Sequence, residues 1–174
     1  KTTRGRGGMV ENIYVNNVDM KEIPAEAILF DMYYMAKDPV VLAGEKREPP
    51  VVETKPVDES TPQFQNFYFR NITCNGAAKG IFVRGIPEMH IKNILIENAV
   101  LQADEGIDIQ EASNITLNNI TLLTKNTNPV AYVLNSDNIT INNLKYTDSA
   151  EVLAMVQGER SKAISILNTD ITKA

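Results

Sequence analysis

The sequence predicts an all-β fold, a right-handed parallel β-helix of about five to six coils, from three observations. First, a pattern apolar–x–Asn–apolar–x–apolar recurs around Asn12, Asn66, Asn93, Asn119 and Asn143, in steps of 54, 27, 26 and 24 residues. Second, the apolar residues alternate along the chain and are mostly β-branched, as in strands. Third, each repeat contains a second short apolar run. A repeat of this length holds two or three short strands, which stack in parallel on the next repeat.

The recurring asparagines have a physical use in such a fold. A coil must bend between its strands, and asparagine tolerates the left-handed backbone conformation and bonds its own main chain. Asparagines stacked in register can also form an internal amide ladder that satisfies buried polar groups. The alternative is that they are ordinary surface-turn residues. The four Asn-Ile-Thr triplets, which start at 71, 114, 119 and 138, look like glycosylation acceptors and are interpreted as by-products of the repeat.

The order of elements along the chain predicts one domain over 1–174, read as the C-terminal part of a β-helix truncated on its N-terminal side. Residues 8–34 form a first coil, 63–161 form four regular coils, and 162–174 form a last strand. The second apolar runs lie at 28–30, 81–83, 107–109, 131–133 and 153–155. Between the first two coils, 35–62 holds five of the eight prolines and is predicted to be a long loop.

Composition excludes several classes of function. The formal net charge is -5 and 43% of the residues are hydrophobic, so bulk charge does not favour a nucleic acid as partner. No apolar run is long enough to cross a membrane. The one cysteine, Cys74, cannot form an intrachain disulfide. No metal site and no cofactor is predicted, since the aspartates do not cluster as calcium ligands do.

The first eight residues, Lys-Thr-Thr-Arg-Gly-Arg-Gly-Gly, precede a coil that opens Val-Glu-Asn-Ile. This stretch resembles the family 28 glycoside hydrolases, the polygalacturonase family, and in particular its bacterial exo-type members. Those enzymes are right-handed parallel β-helices that hydrolyse pectin. The resemblance is motif-specific over about the first 34 residues and rests on the coil period beyond them.

The resemblance implies a substrate-binding role for five residues. Lys1 corresponds to the lysine of the family's Arg-x-Lys motif, which contacts a sugar carboxylate. Arg4 and Arg6, among glycines, are candidates for further carboxylate contacts. Glu26 stands where the family often carries a substrate-contacting tyrosine, and Tyr34 could stack on a sugar ring.

Two neighbouring residues complete this prediction. Tyr33 and Tyr34 follow a strand end: either both could stack on a sugar ring, or one packs and the other is exposed. Arg84 could extend the basic stripe along the same face.

The family's catalytic motifs are missing from this chain, so no catalytic residue is assigned and the chain alone is expected to be inactive. Inverting glycosidases need a carboxylic acid and a carboxylate base about 6.5–9.5 Å apart. The best local pair is Asp108 with Glu111 or Glu105, and Asp108 is expected on a solvated outer face. His90 is expected to be an outward strand residue. The triplet at 168–170 spells the family's Asn-Thr-Asp motif but is interpreted as chance.

The sequence therefore favours a C-terminal part of a pectin-degrading hydrolase, periplasmic or secreted, that binds a pectic polysaccharide or oligogalacturonide. Its parent would cleave galacturonosyl linkages by acid/base inversion. A stand-alone carbohydrate-binding β-solenoid without catalysis is the alternative, and a β-helical pectate lyase is weaker still. A first coil without a cap would expose a strand edge, which could drive homo-oligomer formation.

Overall fold

The computed structural model describes residues 1–34 and 51–174, and almost every element in them is a strand. A single 3₁₀ turn, Ile171–Lys173, closes the chain. The strands are, in chain order, β1 Met9–Asp31, β2 Gln63–Arg84, β3 Ile91–Ala103, β4 Glu105–Gln110, β5 Ala112–Thr124, β6 Ala131–Leu134, β7 Asp137–Tyr146, β8 Ala154–Gln157 and β9 Lys162–Leu167. No helix in the described part of the chain is long and apolar enough to span a membrane.

All of the strand pairings are parallel and join one level of the coil to the next. β1 pairs with β2 along nearly its whole length, and β2 then pairs with both β3 and β4. From there the pairing continues in two branches, through β5, β7 and β9 on one side and through β6 and β8 on the other. The result is five stacked levels and the start of a sixth. This confirms the predicted right-handed parallel β-helix.

Asparagines turn the chain at two corners of every complete level. They form two columns, each with a positive φ between 52° and 60°, where asparagine is among the few residues tolerated. Within a column, each side-chain amide donates to the amide oxygen of the level before it, at 2.7–3.4 Å. The first column is Asn12, Asn66, Asn93, Asn114 and Asn138; the second is Asn17, Asn71, Asn98, Asn119 and Asn143.

The register of the repeats differs from the predicted one. The sequence pattern placed Asn119 and Asn143 above Asn93, but both belong to the second column. The levels of the first column are separated by 54, 27, 21 and 24 residues. Each level carries two asparagines five residues apart. The spacing pattern therefore matched Asn93 of the first column to Asn119 of the second, although Asn114 is the residue that bonds to Asn93.

The predicted amide ladder exists, but it lies on the outside. Asn93, Asn98 and Asn114 are exposed, while the positions between the corners alternate inward and outward. The interior is filled by stacked aliphatic side chains. Ile94, Ile115 and Ile139 follow one another from level to level and are almost fully buried. The asparagine side-chain amides therefore hydrogen-bond to one another at the surface, and the core is filled by aliphatic side chains and not by amides.

The second apolar run of each level is confirmed as a strand on another face, with one shift. Ala131 pairs with Ala154, so the run predicted at 153–155 starts one residue later. Of the predicted loop, residues 35–50 lie outside the described residues. Residues 51–62 are irregular, and Val52 packs against the core.

The first level ends in an open edge. Within the described residues, β1 pairs with β2 alone. Met9, Val10, Ile13 and Tyr14 on this level are 40–66% exposed, whereas the matching residues of inner levels are buried or half-buried. The expectation that the first coil leaves apolar side chains and a strand edge uncovered is confirmed.

Replacing Asn93 tests the corner directly. We expect Asn93→Ala to lower the free energy of unfolding by about 2 kcal/mol, because two amide bonds are lost and alanine is strained at positive φ. Asn93→Gly should cost about half as much, since glycine keeps the bend. Urea denaturation measures both, with the exposed Lys145→Ala as a control that should change little. Equal and negligible effects of alanine and glycine would contradict this account of the corner.

Candidate functional site

The N-terminal segment, residues 1–8, is fixed against the end of the first level. The Thr2 N–H donates to the Asp31 carbonyl at 2.8 Å, and the Tyr34 N–H donates to the Thr2 carbonyl at 2.9 Å. Further along, the N–H groups of Gly5 and Gly7 both donate to the Ser60 carbonyl. The segment therefore connects the end of β1 to the turn that leads into β2.

The geometry of this segment explains one of its glycines. Gly7 has a φ of +60° and lies so close to the Glu59 carbonyl that a side chain would collide with the backbone. Glycine is therefore required at position 7 by the close packing of two backbone segments.

Arg4 anchors the segment through a two-point ion pair with Glu88. Its Nε and Nη2 donate to the two Glu88 carboxylate oxygens at 2.6 and 2.7 Å, and Nη2 also donates to the Glu53 carbonyl. The Glu88 side chain is only 3% exposed. Three of the five N–H donors of the Arg4 guanidinium thus bond within the protein, and its predicted contact with a sugar carboxylate stays a prediction.

The electrostatics of this pair favour the ionised form of both groups. Burial alone would raise the pKa of Glu88, but the hydrogen bonds and charge of Arg4 outweigh burial and hold it below its ordinary 4.5. The same hydrogen bond raises the pKa of Arg4. Because the folded-state pKa of Glu88 is depressed, the pair stabilises the fold above about pH 4.5, and this contribution is lost as pH falls through the folded-state value.

Three of the predicted site residues lie together beside this anchor. Lys1 and Arg6 are exposed, and neither has a carboxylate partner among the residues that the structure describes. The Arg6 guanidinium carbon lies 5.6 Å from the centre of the Tyr34 ring, which is 39% exposed. An accessible cation and an aromatic ring therefore share one surface, and Lys1 precedes Thr2, whose backbone hydrogen-bonds to that of Tyr34.

The neighbouring Tyr33 and Arg84 are structural. Tyr33 is 9% exposed, which confirms that one tyrosine packs and the other faces solvent. Burial raises the pKa of Tyr33 to about 12. Arg84 does not extend a basic stripe: it is buried, its Nη2 and Nε lie 2.8 and 3.1 Å from Asp31 Oδ1, and it packs on the Tyr33 ring. The prediction for Arg84 was wrong because a cation on this outer face is covered and paired.

Glu26 is not brought to the same place. It lies on β1 five residues before Asp31, about 16 Å along an extended strand from the N-terminal segment. Its partner on the next level is Lys79. Its predicted role in substrate binding is therefore separate from that of the other four residues.

The candidate acid pair also differs from expectation. Asp108 points outward but is only 5% exposed, so the expected solvated face is wrong. It shares the Lys79 ammonium with Glu105, at 3.0 and 3.1 Å. Glu111 lies at a different corner, paired with Arg160. These carboxylates neutralise cations, and each of the three has a positively charged partner.

A polar corner around loop 85–90 was not foreseen from the sequence. Arg160 reaches both Glu111 oxygens at 2.7 and 2.8 Å and the Pro87 carbonyl at 3.1 Å. His90 comes directly before β3 and is half-buried, with Nε2 3.3 Å from Glu111, and is not the outward strand residue that was expected. The sequence held one partial signal, because Glu111, Asn135 and Gly158 recur at steps of 24 and 23 residues, close to the coil period. In the structure all three have positive φ.

His90 also contacts a serine, but the arrangement does not make a nucleophile. His90 Nδ1 lies 2.7 Å from the Ser113 hydroxyl, which in turn donates to Asp137 at 2.7 Å. A serine activated by histidine must donate its proton to the ring. Here the Ser113 proton is directed to a carboxylate, so the group is a hydrogen-bond chain.

Comparisons with protein-family models, with curated proteins and with solved structures find no match to this chain. No cluster of metal-ligating side chains occurs within 1–34 and 51–174. Arg6 and Tyr34 present a cation and an aromatic face on one surface, with Lys1 at the start of the same segment. Groups of these types can bind an anionic ring.

Proposed function

We propose that this chain is the substrate-binding part of a pectin-degrading glycoside hydrolase, acting on galacturonosyl polymers. The observation that carries the proposal is the surface of Lys1, Arg6 and Tyr34. Galacturonic acid combines a carboxylate with an apolar ring face, and this surface offers charge for the first and an aromatic ring for the second. The resemblance of residues 1–8 to the polygalacturonase family supports the same substrate.

The catalytic acid and base come from outside this chain in our proposal. Next to the binding surface, Asp31 and Glu88 are each held in an arginine ion pair. A general acid needs a protonated carboxyl, and an arginine partner favours the ionised form. The parent enzyme would supply the two carboxylates and cleave by acid/base inversion. We place it in the periplasm or outside the cell, where pectic polymers are met.

A second candidate is a carbohydrate-binding β-solenoid without catalysis. The ion pairing of the carboxylates beside the surface favours it equally, because it leaves recognition as the only chemistry of the described residues. Release of reducing ends from polygalacturonate by a protein containing this chain separates the two candidates.

Binding of trigalacturonate tests both candidates together. We expect Arg6→Ala to weaken binding about three- to tenfold, since an exposed charge contact contributes about 0.5–1.5 kcal/mol. Tyr34→Ala should weaken it similarly. Isothermal titration calorimetry measures the dissociation constants at low ionic strength.

The matched control is Arg70→Ala, which removes an exposed arginine of β2 that pairs with Glu97 on β3. It should leave binding unchanged. Equal affinity for a neutral oligosaccharide of the same length, or no detectable affinity for the uronate, would remove the basis of the proposal.

We also propose that this chain on its own, with no further coil covering β1, self-associates through the open edge of that strand. Unpaired strand edges with exposed apolar side chains favour pairing with another chain. Val10→Lys places a charge on this edge and should shift the protein towards monomer in sedimentation equilibrium. Leu123→Lys, at an equally exposed apolar residue on an inner level, is the control. A monomeric wild-type protein at tens of micromolar would refute the idea.

A further inference from the structure

We propose that Glu88 is a positioning residue for uronate binding, and that loop 85–90 is a clamp that fixes the N-terminal segment in its binding conformation. The proposal rests on the proposed function. Glu88 does not contact the sugar in this account. It acts through Arg4, and the loop that carries it is held from its far side by Arg160.

The Arg4–Glu88 contact holds Arg4 in one orientation. The two parallel N–H···O bonds of 2.6 and 2.7 Å fix both the position and the plane of the guanidinium. Arg4 lies between Lys1 and Arg6 in a segment of eight residues that contains three glycines. Glycine-rich backbone loses much freedom on ordering, so a strong side-chain anchor in its middle determines where the flanking cations point.

Loop 85–90, which carries Glu88, is itself rigid. Ile86 and Met89 exchange backbone hydrogen bonds across the loop, and the Gly85 N–H donates to the Gln110 carbonyl at 2.9 Å. Ile86 is fully buried. The Arg160 guanidinium then ties the Pro87 carbonyl to the Glu111 carboxylate. Glu88 is therefore presented from a fixed backbone.

Arg160 lies in the turn after the fifth level and is far in the sequence from Lys1 and Arg6, the cations that it influences. Removing Arg160 leaves the Pro87 carbonyl without this hydrogen bond. Because Pro87 adjoins Glu88, the position of Glu88 then becomes less fixed, and so does that of Arg4, which it binds. Pre-ordering a binding segment raises affinity by reducing the entropy lost on binding. Both Glu88 and Arg160 should thus control affinity for a uronate without touching it.

The test compares Glu88→Gln with Glu97→Gln. Both substitutions remove one carboxylate from an arginine ion pair, but the Arg70–Glu97 pair joins β2 to β3 and does not involve the N-terminal segment. We expect Glu88→Gln to weaken trigalacturonate binding about five- to tenfold and Glu97→Gln to change it less than twofold. Arg160→Ala should weaken binding about two- to fivefold by the same route.

Hydrogen exchange shows whether Glu88 orders the N-terminal segment locally, and the change in trigalacturonate affinity shows whether that order matters for binding. In Glu88→Gln, the amides of Gly5 and Gly7, which bond to Ser60, should exchange at least tenfold faster, while those of β3 and β5 stay protected. Unchanged exchange at these glycines, or faster exchange throughout the solenoid, would overturn the clamp.

The two proposals fail in different ways. Undiminished trigalacturonate affinity in Glu88→Gln refutes positioning while leaving the proposed function intact. A wild-type protein that binds no uronate refutes the proposed function, and the uronate role of Glu88 with it. In that case the exchange of Gly5 and Gly7 alone decides whether the clamp exists.

Discussion

The asparagine corners are the constraint on which the rest of the structure depends. A left-handed residue at each bend turns the strand while its neighbours keep extended geometry, and the amide bonds between corners hold successive levels in register. Register matters because a slip of one residue would exchange the inward and outward sets of side chains. The stacked Ile94, Ile115 and Ile139 can form a continuous core only if the corners above and below them coincide.

The candidate site depends on this stack indirectly. The N-terminal segment hydrogen-bonds to the end of β1, and its anchor Glu88 is on a loop between β2 and β3. The stacking of levels therefore brings together residues 84 positions apart in the chain, Arg4 and Glu88. The outer face beside them is filled by paired charges, so the exposed Lys1 and Arg6 stand out as cations with no carboxylate partner among the described residues.

The fold could be predicted from the sequence because the length of the repeat and the alternation of its apolar residues follow from backbone geometry. Both features recur in every repeat. Sequence reasoning mistook the register because two equivalent asparagines occur per level, and spacing alone cannot distinguish Asn93 from Asn98. It misplaced Arg84 and Asp108 because alternation gives the direction of a side chain but not what covers it. The Arg4–Glu88 and Arg160–Glu111 pairs join distant segments with no local pattern, so only the three-dimensional structure could show them.

Disulfide trapping tests the register most directly. Leu95 and Thr116 are neighbours across β3 and β5 with side chains outward, and adjacent parallel strands lie about 4.8 Å apart, which suits a disulfide. In a Cys74→Ala background, the pair Leu95→Cys with Thr116→Cys should oxidise readily, as mass spectrometry would detect. The pair Leu95→Cys with Thr121→Cys, which would be adjacent if Asn119 lay above Asn93, should stay reduced. Crosslinking of the second pair but not the first would contradict the two-column solenoid.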